Sequence, residues 1–215
     1  MIAALVLCPA IAYVSGSLPF GLWVGRLARG VDIRTMGSGN LGATNVYRSL
    51  GPGLGVLTLL LDIAKGALPV WLLPHAAFAA AFPGGLEWCQ LAVALAAVAG
   101  HVWTFLAGFK GGKGVATTVG VLLALAPAAM GIFVVVFVLV VALTRYISLG
   151  STLGAAAFAV ALGFVAPHGV KSPTFFLGLL LALLVVARHR DNFRRLLKGE
   201  EQRFSFRVGK PPGAR

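Results

Sequence analysis

Long uncharged stretches separated by short basic ones set the layout of this chain. No formal charge falls within residues 1–25, 66–86, 88–109, 114–144, 147–170 or 172–187. A helix that crosses a bilayer needs about 20 predominantly apolar residues. Most of these stretches meet that length, and 172–187 is slightly short of it. The pattern predicts an all-α, polytopic integral membrane protein with spans near 2–26, 53–73, 88–108, 112–127, 129–145, 148–166 and 172–188.

The stretch 114–144 decides the number of spans. As one helix its 31 residues would measure about 46 Å at 1.5 Å per residue, against a hydrocarbon core of about 30 Å. A single tilted helix would put Arg145 outside and invert everything after it. Two short helices meeting near Pro127 keep the basic regions on one side, and proline breaks or kinks a helix. Seven transmembrane helices follow, with the N-terminus out and the C-terminus in.

Composition agrees with lipid as the solvent: 59% of residues are hydrophobic and 11% charged, whereas a soluble domain carries roughly 25% charged residues. The net charge of +12 would suit a nucleic acid, but its distribution does not. Arg26, Arg29, Arg34 and Arg48 share one loop, Lys110 and Lys113 a second, and Arg145 marks a third. Nine basic residues follow from Arg188 onward, and these four regions hold sixteen of the eighteen. Basic residues favour the cytoplasmic ends of spans, so the charge reports topology and no nucleic-acid partner is expected. The first basic residue is Arg26, so the start lacks the basic segment of a signal peptide and reads as a retained span. Residues 1–215 read as a single membrane-embedded domain, with 188–215 a cytoplasmic basic tail, solvated near anionic headgroups. Cys8 and Cys89 lie in apolar segments and read as small buried residues. No metal-ligand cluster is visible, and no metal or cofactor is expected.

Two inside loops carry the candidate chemistry. The first runs from Met36 to Arg48. Gly37, Gly39 and Gly42 allow backbone geometry closed to other residues, and their N–H groups can converge on an anion. Ser38, Asn40, Thr44 and Asn45 add short hydrogen-bonding side chains, and Arg48 adds a bidentate partner for phosphate. A flexible turn is the plain alternative. The second loop runs Gly108-Phe-Lys-Gly-Gly-Lys-Gly-Val-Ala-Thr117, with His101 upstream. It is not a Walker A motif, because Ala107 stands six residues before Lys113 and Gly114 follows that lysine. A phosphate near Lys110 or Lys113 and a following helix start is the reading; two membrane-anchoring lysines are the alternative. Asp62 and Lys65 sit on one helix face inside a span, where charges are costly and often functional; a neutralising structural pair fits equally. His189 and Asn192 share a helix face, and Arg145 and Ser148 lie at another inside end.

These stretches together resemble the bacterial acyl-phosphate:glycerol-3-phosphate acyltransferase family, PlsY. The carrying residues are Ser17-Leu-Pro-Phe-Gly21, Gly37 through Asn45 with Arg48, Asp62-Ile-Ala-Lys-Gly66, Gly100-His101, Phe109 through Thr117, Arg145-Tyr-Ile-Ser148 and His189 through Asn192. They follow in order over nearly the whole chain. The resemblance implies a seven-helix enzyme of phospholipid synthesis in the bacterial inner membrane. It would move a fatty acyl group from acyl phosphate to glycerol 3-phosphate, giving lysophosphatidic acid and phosphate. By the family pattern, Ser38, Arg48, Lys110, His189 and Asn192 would hold the glycerol phosphate or lie at the reacting centre. Gly37, Gly39, Asn40, Gly42, Thr44, Asn45, His101, Gly111, Gly112, Lys113, Gly114 and Ser148 would bind substrate, with Thr44, Ser148 and the glycines cradling the acyl-phosphate headgroup. Glu201 matches a tail position tied to integrity. Thr104 departs from the pattern, which has proline there. The partners implied are the two substrates, membrane lipid and an enzyme that produces acyl phosphate.

An acyl phosphate carries its own leaving group, so the protein must chiefly orient two anions and stabilise developing charge. Few bases are on offer: His101 and His189 are better placed than Asp62, and a substrate phosphate oxygen could itself take the hydroxyl proton. No His is followed five residues later by Asp, which disfavours the acyl-CoA type of acyltransferase. An organic-phosphate transporter is the rival reading. Transporters often show paired inverted repeats, and none is visible here. A non-catalytic membrane anchor is the second rival.

Overall fold

The computed structural model describes residues 1–166 and 168–204, leaving aside the side chains of Ala77 and Phe78. Regular structure among these residues is entirely helical. The helices are α1 (Ile2–Ser17), α2 (Phe20–Arg29), α3 (Ala43–Leu50), α4 (Pro52–Leu72), α5 (Gly85–Val102), α6 (Val115–Leu125), α7 (Pro127–Thr144), α8 (Ile147–Val165), α9 (Pro173–Arg188) and α10 (Arg190–Leu197). The described residues form two compact units, 1–124 and 125–204. Residues 205–215 of the expected tail lie outside the described residues.

Among the described residues, five stretches are long and apolar enough to cross a membrane: Ile2–Arg29, Pro52–His75, Gly85–Ala107, Pro127–Thr144 and Ile147–Val165. A sixth is obtained when α9 and α10, bent by 47° at their junction, count together. The remaining expected span is α6, whose 11 residues make about 16 Å of helix. The protein is therefore all-helical and multi-spanning, with five or six segments that pass on length and one short apolar helix. Pro127 does divide the 114–144 stretch, standing at the first position of α7, where its missing N–H is harmless.

The first span differs from expectation. Residues 2–26 were expected as one helix, but α1 stops at Ser17 and α2 starts at Phe20. Pro19 lacks an N–H and disfavours helical geometry in the residue before it. Leu18 is accordingly extended, at φ −60° and ψ 112°.

Small residues set the packing in the first unit. Ala4, Cys8, Ala12 and Gly16 recur every fourth residue on the buried face of α1. A Cβ on Gly16 would overlap the Ala97 carbonyl of α5, and one on Gly100 the Tyr13 carbonyl of α1. Gly66 of α4 meets the Thr117 carbonyl of α6, and Gly120 of α6 meets the Ile63 carbonyl, in the same manner. Within a bilayer, where burial from water offers no drive, close backbone approach gains dispersion contacts. Cys8 and Cys89 are free and buried. In the second unit, α8 packs its Gly150 and Gly154 against Phe137 and Phe133 of α7. The far face of α7 is bare aliphatic surface, including Val134, Val135, Val138 and Leu139, a face suited to lipid tails.

Candidate active site

The first loop opens at Asp32. Its carboxylate pairs with Arg34 at 2.6 Å and Arg26 at 3.0 Å. It also caps the turn Ile33–Thr35 by accepting the Arg34 N–H at 3.0 Å. The Arg34 side chain and N–H hold this carboxyl well below the usual carboxylate range. Asn45, buried in α3, gathers the rest of the loop. Its Nδ2 donates to the carbonyls of Ile33 (3.1 Å), Met36 (3.1 Å) and Asn40 (2.9 Å), sharing two hydrogens among three acceptors. Its Oδ1 accepts the Ser38 N–H at 3.0 Å. Gly37, at φ +53°, could not carry a side chain without striking that Oδ1. Asn40 Oδ1 accepts the Gly42 N–H at 2.8 Å. Beneath the loop, Ile33, Leu41 and Val46 belong to an apolar cluster with Leu22, Val24 and Ala107. The loop is thus a fixed object with Ser38 and Gly39 exposed on it. Thr44 lies in the first turn of α3 and Arg48, half-buried, in its last. No side chain caps the N-terminus of α3, and a helix start favours anions.

The second loop folds back onto α5. The N–H of Gly111 donates to the Val102 carbonyl at 3.1 Å, and that of Gly112 to the His101 carbonyl at 3.2 Å. These bonds satisfy carbonyls at the end of α5 that lack helical partners. A Cβ on Gly111 would overlap the His101 carbonyl, and one on Gly112 the His101 ring. The glycines therefore let the loop lie on His101, and two of their N–H groups are used there. Gly114, at φ +84°, leads into α6, its carbonyl accepting the Thr118 N–H at 2.8 Å. Lys110 is exposed and Lys113 half-buried.

Under both loops lies a small polar cavity. Ser17, Leu18, Phe20, Leu41, Asp62, Lys65, His101, Thr104 and Gly112 line it. Lys65 Nζ is 2.7 Å from Asp62 Oδ1, donates to the Leu18 carbonyl at 2.7 Å, and sits 5.5 Å above the Phe20 ring. Asp62 and Lys65 are both buried, so this pair neutralises two charges inside a span. His101 Nδ1 stands 3.7 Å from Asp62 Oδ1.

In the second unit the polar groups meet at Glu201. Its Oε1 accepts from Ser148 Oγ (2.8 Å) and Asn192 Nδ2 (2.6 Å), and its Oε2 from Arg195 Nε (2.9 Å). Burial pushes this carboxyl up, but the hydrogen bonds from Asn192, Ser148 and Arg195 outweigh it and hold the acid below its ordinary value. The chain beyond Glu201 stays attached. The Phe204 N–H donates to the Arg145 carbonyl at 2.6 Å, and the Arg203 guanidinium lies 5.6 Å over the Tyr146 ring. Residues 201–204 are therefore folded against α8 and its preceding turn, with Asn192 and Arg195 of α10 joined to Glu201, where a solvated tail was expected. Buried His189 places Nδ1 2.7 Å from the Val185 carbonyl. A carbonyl can only accept, so that nitrogen carries the proton and Nε2 is the basic one.

Within the first unit, then, the two predicted loops come together around one cavity, and within the second Ser148 and Asn192 share a carboxylate. Asp32 and Arg195 escaped the sequence reading. Asp32, two residues before an arginine and one before a turn, carried a capping signal; Arg195 carried none.

The model of the family described as glycerol-3-phosphate acyltransferase matches residues 6–199. The glycerol-3-phosphate acyltransferase of Anaeromyxobacter dehalogenans (strain 2CP-C) is 48% identical over 194 residues, 90% of this chain and 94% of that protein. That of Geobacter sulfurreducens is 48% identical over 195 residues, 91% of this chain and 95% of its own. The crystal structure of PlsY (YgiH), an integral membrane glycerol 3-phosphate acyltransferase, in its glycerol 3-phosphate form superposes with a TM-score of 0.82 at 38% identity, covering 94% of this chain and 96% of that one. Its lysophosphatidic acid form gives 0.80 at 38% identity, over 94% and 95%. Likeness of this extent, carried by sequence and fold alike, makes this chain a member of the glycerol-3-phosphate acyltransferase family.

Proposed function

We propose that this protein transfers a fatty acyl group from acyl phosphate to glycerol 3-phosphate in the phospholipid synthesis of a bacterial inner membrane. The observation that carries this reading is near-full-length likeness to proteins named for acyl transfer to glycerol 3-phosphate, including a structure in a glycerol 3-phosphate form and one in a lysophosphatidic acid form. The glycerol hydroxyl oxygen attacks the acyl carbon, the bond from that carbon to the phosphate oxygen breaks, and phosphate leaves with the electron pair. The hydroxyl proton passes to a phosphate oxygen, or by way of the basic Nε2 of His189.

By the family pattern, Ser38, Arg48, Lys110, His189 and Asn192 hold the glycerol phosphate or lie at the reacting centre. Thr44, Ser148 and the loop glycines serve the acyl-phosphate headgroup and Asn40 and Lys113 the rest of the substrate site, while Asn45 and His101, expected to bind substrate, support it from behind the loops. Preformed donors held by Asn45 and Glu201 need little reorganisation during reaction, which is where such sites draw most of their acceleration. The chain crosses the membrane seven times as one domain, with α6 the shortest crossing, the N-terminus out and the basic loops and tail in the cytoplasm. An enzyme that makes acyl phosphate supplies the donor.

The test is phosphate release by the purified protein in a lipidic medium, given palmitoyl phosphate with and without glycerol 3-phosphate. Release should require both substrates and fall at least about a hundredfold in Ser38→Ala and Arg48→Ala, in line with the loss of one preorganised donor. No release, with glycerol 3-phosphate entering sealed liposomes instead, would establish the transporter reading.

A further inference from the structure

The buried charges of α4, Asp62 and Lys65, pair with each other at 2.7 Å within the first unit. Charges inside a span are costly unless paired, and a buried pair is a weak source of stability. We propose that Asp62, Lys65 and His101 are positioning residues: one buried polar knot on which both glycine-rich loops are seated. This deepens the acyl-transfer reading and rests on it.

Lys65 ties the knot to the first loop. Its ammonium takes the Leu18 carbonyl, which the break at Pro19 has removed from the regular helical ladder. Helix α2 restarts at that point and runs into the first loop. In its opening turn, Gly21 approaches the Leu41 carbonyl so closely that a Cβ would overlap it. The place where Lys65 grips the break therefore sets where the loop begins and where Leu41 lies.

His101 ties the same carboxylate to the second loop. Its Nδ1 faces Asp62 Oδ1 at 3.7 Å, its carbonyl receives the Gly112 N–H, and its ring fills the space a side chain at 112 would need. Thr104 closes the arrangement. Its hydroxyl donates to the Ser17 carbonyl, and the Ser17 hydroxyl donates to the Gly100 carbonyl at 3.3 Å. The broken end of α1 is thereby held against α5 beside the knot. All of these contacts lie within the first unit.

Because a buried ion pair adds little stability, replacing both charges together should leave the fold standing and loosen the loops. The test compares the wild type with the double variant Asp62→Asn/Lys65→Met, both in lipid nanodiscs. Two quantities are read: amide hydrogen exchange and the kinetics of acyl transfer from palmitoyl phosphate. In the wild type the Gly111 and Gly112 amides should exchange as slowly as those of α5. In the folded double variant, exchange at Ser38, Gly111 and Gly112 should rise at least tenfold with α7 and α8 unchanged. Its kcat/KM should fall at least tenfold, with a raised KM for glycerol 3-phosphate. Wild-type values of either quantity in a folded variant, or equal loosening of α7 and α8, would overturn the proposal. If the double variant does not fold, Thr104→Val removes one tie by exchanging a hydroxyl for a methyl. A rise of at least threefold in exchange at the same three amides then supports the knot, and unchanged exchange overturns it. A wild type that transfers no acyl group would refute the reaction and leave the knot standing, since exchange needs no turnover.

Discussion

Asn45 offers one carboxamide to three carbonyls and to the Ser38 N–H. Aspartate there would keep the acceptor, lose both donors and set a carboxylate against the carbonyls of Ile33, Met36 and Asn40. Asn45→Asp should therefore cost more stability than Asn45→Ala, by about 2 kcal/mol given the penalty of unmade buried bonds. Paired thermal melts, with kcat/KM falling in the same order, would check this; equal melts would mean the side chain does not hold the loop. Glu201 makes a pH prediction. Its carboxyl is depressed below the ordinary 4.5 in the folded protein, so the stability it contributes is complete above that value. It is lost as pH falls through the folded pKa. Wild type should thus lose stability below about pH 4.5 more steeply than Glu201→Gln, measured as melting temperature against pH. The family pattern pointed to Asn45, Ser148, Asn192 and Glu201. It did not say that Glu201 receives Ser148 from 53 residues away, because no local spacing encodes such a contact. Nor did residue type reveal that the Asn45 amide is used within its own loop.

Helix packing explains both what was readable and what was not. The charge-free runs are a property of each segment alone, so the positions of α4, α5, α7, α8 and α9 were legible. The interruption of the first span was not, although Pro19 stands in it, because membrane helices often tolerate proline when neighbours satisfy the freed groups. Here the neighbour is Lys65, which belongs to another helix. The close approaches at glycine make a packing prediction. Gly120→Val should destabilise the protein by about 1–3 kcal/mol, the usual range for overpacking, because its side chain would meet the α4 backbone. Gly131→Val in α7 meets nothing within 4 Å and should stay within about 0.5 kcal/mol of wild type. Thermal unfolding in one detergent compares them, and equal losses would sink the account of α4–α6 packing.

The proposed seven crossings are open to a labelling experiment that uses the native cysteines as they stand. Cys8 and Cys89 are buried, so cysteines placed at Gly39, Gly84, Lys110, His168 and Lys198 can be read one by one. A membrane-impermeant maleimide should reach 84 and 168 from outside and 39, 110 and 198 only from the cytoplasm, following the basic residues. Labelling of 110 and 198 from opposite faces would leave an odd number of crossings between them and remove the seven-span topology. The basic bias is what predicts this arrangement from the sequence. Charge does not, however, distinguish a free tail from one that folds back, and α10 with residues 201–204 folds back through Glu201, Arg203 and Phe204.

That attachment fixes when, during synthesis, the second unit can be finished. Ser148 leaves the ribosome 53 residues ahead of the glutamate it binds, an interval of about 3–10 s at roughly 5–20 residues per second. Until Glu201 arrives, Ser148 and Asn192 have no carboxylate to gather them, although α7 and α8 are already made and can enter the bilayer. Membrane insertion and maturation of the second unit are therefore separate events, and a ribosome stalled shortly before codon 201 would leave an inserted protein whose second unit has not closed.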